Sequence, residues 1–202
     1  MGFEAGKNVF SISPFRGFDM GDGVAKIVDM KEKRQELTAK RGFEKWSQRF
    51  AESFDENTRL IDLDDSTLAK LIQPGEESSM AIYEFIMGVQ GLGTGTRFYF
   101  LENLDKMAIM DITLFFLDQL RFEAMRRLGW VEDFPTSKIP LVNLVAEFAG
   151  RFSTDKHRTP VLSPAHPRYQ EYLKTFEGDR ASFIRRLIPE VLEVYRQKAG
   201  DD

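Results

Sequence analysis

The sequence contains no cysteine. Disulfides, thiol nucleophiles, thiolate zinc sites and cysteine-held iron–sulfur clusters are thereby excluded together. Histidine is almost as scarce, with His157 and His166 the only imidazoles in 202 residues. Neither follows a glutamate at the Glu-x-x-His spacing of helical di-iron proteins, so no metal site and no cofactor is expected. Long apolar runs are missing as well. The most apolar stretch, AIMDITLFFLDQL, is broken by Asp111 and Asp118 and falls short of the roughly 18 residues of a membrane helix. No basic-then-apolar leader opens the chain, so no membrane insertion is expected and the cytoplasm is the expected location. Positive charge is not in excess either: the formal net charge is -4, which argues against a surface built to hold phosphate backbones. Nucleic acid is not an expected partner.

What remains is the composition of a folded globular chain, with 42% hydrophobic and 30% charged residues and 18 phenylalanines. Charge is unevenly spread. Residues 1–119 carry 14 Lys and Arg against 20 Asp and Glu, whereas residues 120–190 carry 12 against 9, an asymmetry suited to docking or head-to-tail association. Residues 1–23 mix five glycines with Phe3, Phe10, Phe15 and Phe18. They read as an extended aromatic arm ahead of a helical domain over 24–202, and the four phenylalanines are candidate partner contacts.

From about Val24 the apolar spacing is helical, with Gly42 a candidate bend. Phe43, Trp46, Phe50 and Phe54 then recur at offsets of three, seven and eleven, one aromatic stripe facing a core. Asp64 to Ser66 can cap a short helix that stops at Pro74-Gly75. A further helix over about 76–87 leads to the glycines at 88, 91, 93 and 95, and a long one follows over about 103–128. Gly129 is placed to end it in a left-handed cap. Further helices are expected from Pro140, around Tyr169 to Phe176 and over about 180–198, the last interrupted by Pro189. The fold class is therefore all-α: a single-domain multi-helix bundle around a buried central helix at about 103–128, with the N-terminal arm extended.

On a helical wheel the apolar residues of 104–128 point in every direction, as in a helix surrounded by protein. Asp111 and Asp118 are two turns apart, on a face shared with Met107, Leu114, Phe115, Phe122 and Met125. Buried there, each carboxylate needs a cation or hydrogen-bond donors, and Arg97, Arg121, Arg185 and Arg186 are the candidate partners.

The segment Gly88-Val-Gln-Gly-Leu-Gly-Thr-Gly95 has the Gly-x-Gly-x-Gly spacing that lets backbone approach a ligand. No strand–helix alternation surrounds it and no Gly-Lys-Ser/Thr follows, so a helix break or close packing accounts for the glycines more simply. Asp62, Asp64 and Ser66 have calcium-loop spacing, but Thr67 and Gln73 stand where the loop needs Gly and Glu. No catalytic constellation emerges. Two functions compete. The first is a non-catalytic interaction or accessory protein, binding another protein or itself through the arm and through basic residues such as Arg126 and Arg127. The second is a small-molecule site between Gly88–Gly95 and the central helix, with Gly91, Gly93, Gly95, Arg97, Asp111 and Asp118 as ligand contacts.

Overall fold

A computed structural model describes residues 30–93, 95–150 and 159–200. Among these the fold is all-α: helices α1 (Met30–Phe50), α2 (Asp65–Ile72), α3 (Glu76–Val89), α4 (Asn103–Arg127), α5 (Leu141–Gly150), α6 (Tyr169–Lys174), α7 (Arg180–Arg186) and α8 (Ile188–Gly200). Short 3-10 turns precede α2, α4, α5 and α7. Extended chain pairs only at two isolated bridges among the described residues, Arg59 with Pro140 and Val131 with Leu162. The N-terminal arm, including Phe3, Phe10, Phe15 and Phe18, lies outside the described residues, as does the helix start expected near Val24.

The aromatic stripe forms the core that joins α1, α3 and α4. Phe43 and Trp46 are buried against Phe85, with ring centroids 4.9 and 4.7 Å away, and Phe85 passes the contact on to Phe116 of α4 at 5.2 Å. Indole is large and apolar but carries one donor that burial must satisfy. The Trp46 Nε1 donates to the Ala81 carbonyl at 2.7 Å. Phe54 joins this group without belonging to the helix. α1 ends at Phe50, Ala51 adopts the left-handed region at φ 54°, and the returning chain stacks Phe54 on Phe43 at 5.2 Å.

α1 also runs unbroken through Gly42, where a bend was expected. The glycine serves the crossing with α3 instead. Gly88 of α3 lies against the backbone of Arg41 and Gly42, so close that a Cβ there would come within 2.4 Å of the Arg41 carbonyl oxygen. Three positions on, Gly91 takes φ 70° and closes α3 with two bonds, its own N–H to the Gly88 carbonyl and that of Leu92 to Met87. This is the glycine-dependent C-terminal cap, and Gly129 ends α4 the same way. The helix expected over 180–198 is two, α7 and α8, with Pro189 in the first turn of α8, where its missing N–H costs no internal bond.

The centre of the bundle is α4, which packs on α2, α3, α5 and α8. Its second half is enclosed, with Phe122, Glu123, Ala124 and Met125 consecutively buried. Its first half is covered on one side only, through Ile109, Ile112 and Phe116.

The crossing of α1 and α3 has a direct test. In the Gly88→Ala variant the added methyl meets rigid backbone, so the helices must part; a loss of about 1–3 kcal/mol is expected, read from the urea midpoint at unchanged slope. An Ala variant of wild-type stability would show that the two backbones do not need this contact.

Candidate functional site

The residues expected to hold a small ligand are each placed by local needs, and of them the structure brings Gly93 against Arg97. Gly91 is the α3 cap. Gly93 takes φ 91° beneath the Arg97 side chain, and Gly95 opens the 3-10 turn Gly95–Phe100. That turn rests on α3, with Phe98 5.3 Å from Tyr83, and Arg97 is exposed. Asp118 accepts from Arg185 Nε of α7 at 2.7 Å, one of the ion pairs expected for it. Asp111 is exposed and forms no ion pair among the described residues.

The expected burial of the face carrying both aspartates holds only at its C-terminal end. Met107 is 62% exposed and Leu114 63%, and Met110 and Asp111 are open to solvent between them. The wheel detects apolar residues on all sides of α4 but is blind to how far neighbouring helices extend along it. Beside the N-terminus of α4, Tyr99 and Phe100 are also exposed, Phe100 at 87%. Five large apolar side chains within residues 99–114 thus face water, and three of them, Met107, Met110 and Leu114, follow the i, i+3, i+7 spacing of one helix face. On that outer face the carboxylate of Asp118 is already paired, which leaves Asp111 as its free acid.

A second cluster lies outside the residues expected to form a site. Glu123 is fully buried, and its carboxylate accepts from Arg126 Nε and Nη2 at 2.8 Å each and from Arg127 Nε at 2.9 Å. Arg127 continues outward to the carbonyls of Leu60 and Leu63, at 3.1 and 2.7 Å, and to Asp65 Oδ1 at 2.5 Å. Burial works against the Arg127 charge, but the bonds to Glu123 and Asp65 outweigh it and hold the guanidinium above its ordinary value. The two arginines expected to meet a partner are therefore committed to an acid of their own helix. The signal in the sequence is Glu-x-x-Arg-Arg, the i, i+3 and i+4 spacings that bring side chains together on a helix. The group links α4, α2 and the chain leading into α2, with both carboxylate oxygens of Glu123 engaged by its two arginines.

His166 is the described imidazole. It lies in the loop before α6, 7% exposed, its ring edge-on to Trp130 at 5.2 Å, and its Nδ1 accepts the Arg168 N–H at 3.2 Å. Burial lowers its pKa, Glu190 opposes this and Arg168 adds to it. A neutral imidazole that accepts a backbone N–H is a loop fastener rather than a metal ligand, and no group of three potential ligand side chains forms a metal site among the described residues.

No protein-family model, curated protein or solved structure matches this chain.

Two outcomes test the roles assigned to Glu123 and His166. Removing the acid leaves two partly buried guanidinium groups facing each other, so Glu123→Ala is expected to lose about 3–5 kcal/mol in denaturant unfolding, whereas Asp111→Ala should stay within about 0.5 kcal/mol of the parent. For His166 the unfolded chain takes up its proton near the ordinary value of about 6.5, and the native loop does so only at lower pH. Its contribution is thus complete above neutrality, declines as pH falls through the ordinary value, and levels off below the depressed one. The difference in unfolding midpoint between pH 7 and pH 5 should be smaller in His166→Gln than in the parent. An equal difference would mean that the native loop accepts the proton as readily as the unfolded chain.

Proposed function

We propose that this protein is a non-catalytic interaction module of the cytoplasm that docks an apolar segment of a different protein, carrying Lys or Arg, on the outer face of α4. The observation that carries the reading is the exposed stripe of Met107, Met110 and Leu114 with the free carboxylate of Asp111 inside it. Exposed apolar side chains scattered singly are ordinary, but a contiguous row on one rigid helix marks an interaction surface. Methionine suits such a face because its thioether chain adapts to a partner's shape.

Charge selects the occupant. In a symmetric pair of copies the two-fold axis would pass near the middle of the stripe, between Met110 and Asp111, and would set the two Asp111 carboxylates against each other. Like charges facing across an apolar interface are unfavourable. A foreign segment with a cation at that point satisfies Asp111 and covers the row of apolar side chains. An amphipathic helix lying along the stripe presents its side chains at the same i, i+3, i+7 spacing.

A pair of model peptides tests this. A fluorescein-labelled Leu/Lys amphipathic 14-mer is expected to bind in anisotropy titrations at least about tenfold more tightly than its Leu/Glu counterpart, a preference worth about 1.4 kcal/mol. Asp111→Lys should reverse the preference, and Met110→Glu should weaken both peptides. Equal affinity for the two peptides, an Asp111→Lys variant that keeps the parent's preference, or sedimentation equilibrium showing dimers that Met110→Glu dissolves, would each overturn the reading.

A further inference from the structure

A cleft of about 570 Å³ lies between α2 and α8. Asp65, Ser66, Ala69 and Lys70 line it from α2 with Gln73 just beyond, and Tyr195, Arg196 and Lys198 from α8. The volume suits a small molecule, and the walls combine apolar surface with a few polar groups, the usual constitution of a binding pocket. Gln73 fixes the width by donating from Nε2 to the Leu192 carbonyl at 3.2 Å, which ties the two helices together at one end of the cleft.

Tyr195 distinguishes this cleft from an ordinary surface groove. It is 4% exposed, yet it lines the cavity, and its hydroxyl has no hydrogen-bond partner among the described residues. The hydroxyl keeps some access to solvent and so offers a donor that an acceptor placed in the cleft can take up. Burial, with Asp65 acting in the same direction, pushes it up to about 12. At neutral pH it is therefore a hydrogen-bond donor and not an anion.

The charges around it favour an anionic ligand. Lys198 Nζ lies 5.6 Å from the Tyr195 ring centroid, and Lys70 has no ion-pair partner among the described residues. Arg196 is engaged by Glu193. The acid in the wall, Asp65, is paired with Arg127, and the two lysines of the wall outnumber it.

We propose that this cleft binds a small organic anion, its apolar body against Ala69 and the Tyr195 ring and its carboxylate or phosphate between Lys70 and Lys198, accepting the Tyr195 hydroxyl proton in a hydrogen bond. The site is separate from the α4 stripe, and the two readings stand or fall independently.

The test uses phenyl phosphate and benzoate as probes, with inorganic phosphate and benzyl alcohol as the isolated halves, and follows backbone amides of the full chain by NMR. Phenyl phosphate or benzoate should shift amides of α2 and α8 and bind at least about tenfold more tightly than either half, because the apolar and ionic contacts act together only in the joined molecule. Tyr195→Phe keeps the ring and should weaken the aromatic anion about threefold to tenfold, the range for one hydrogen bond. Lys198→Glu should abolish binding, and Ala69→Glu, which leaves Tyr195 and Lys198 in place, should do the same. The proposal is overturned if inorganic phosphate binds as well as phenyl phosphate, since exposed lysines alone would account for that. It is equally overturned if Tyr195→Phe binds like the parent, or if the shifts map to α4 around Met107–Leu114.

Discussion

The structure depends most on how one buried carboxylate is paired. Glu123 sits where α4 is enclosed on every side, a position at which an unpaired acid would cost several kcal/mol. Arg126 and Arg127 satisfy it from the same helix, so the ion cluster is formed as soon as α4 is. Arg127 then has donors left over, and it uses them on the carbonyls of Leu60 and Leu63 and on Asp65. The chain leading into α2 is thereby positioned by side-chain bonds to two of its carbonyls. A hydrophobic residue at 123 would fill the space but would leave the Nε and Nη2 donors of Arg126 and the Nε donor of Arg127 to be satisfied elsewhere. The acid acts as a register pin between α4 and α2, which an apolar contact would set less narrowly.

The same bundle shows where periodicity in a sequence is informative and where it stops. Phe43, Trp46 and Phe50 announce α1 because large aromatics recur at helical spacing chiefly where a helix buries one face. Gly129 announces the end of α4 because a left-handed cap strongly favours glycine. Phe54 has the right offset for the wrong reason: it reaches the cluster through the reversal at Ala51, and an offset carries no information on whether the helix is still there. The positions of Gly42 and Gly88 allow either a break or close packing, and packing is what they provide, since two helices approach closely only where side chains are absent.

Asp111 and Asp118 mark the limit more sharply. Their shared face is legible in the sequence, but its environment changes along the axis from open at Met107 to enclosed at Phe122. A wheel projects the helix onto a circle and discards that axis. Glu123 does not stand out on the wheel as an acid among apolar neighbours; its two arginines at i+3 and i+4 are the more informative pattern. The ligand residues expected from sequence are legible as types, and of these Gly93 meets Arg97 while Asp118 meets Arg185. Assembling a site depends on which helices lie beside which, and one sequence does not specify that.

The open row on α4 has a thermodynamic consequence that follows from its foundation. α4 is 25 residues long, about 37 Å at 1.5 Å per residue, seated on α3 beneath the row and clamped at the far end by Glu123. Any partner therefore meets a preformed surface, and almost all of the ordering entropy of association falls on the arriving segment. On the docking proposed above, affinity would be governed less by this protein than by how stiff its visitor is before they meet.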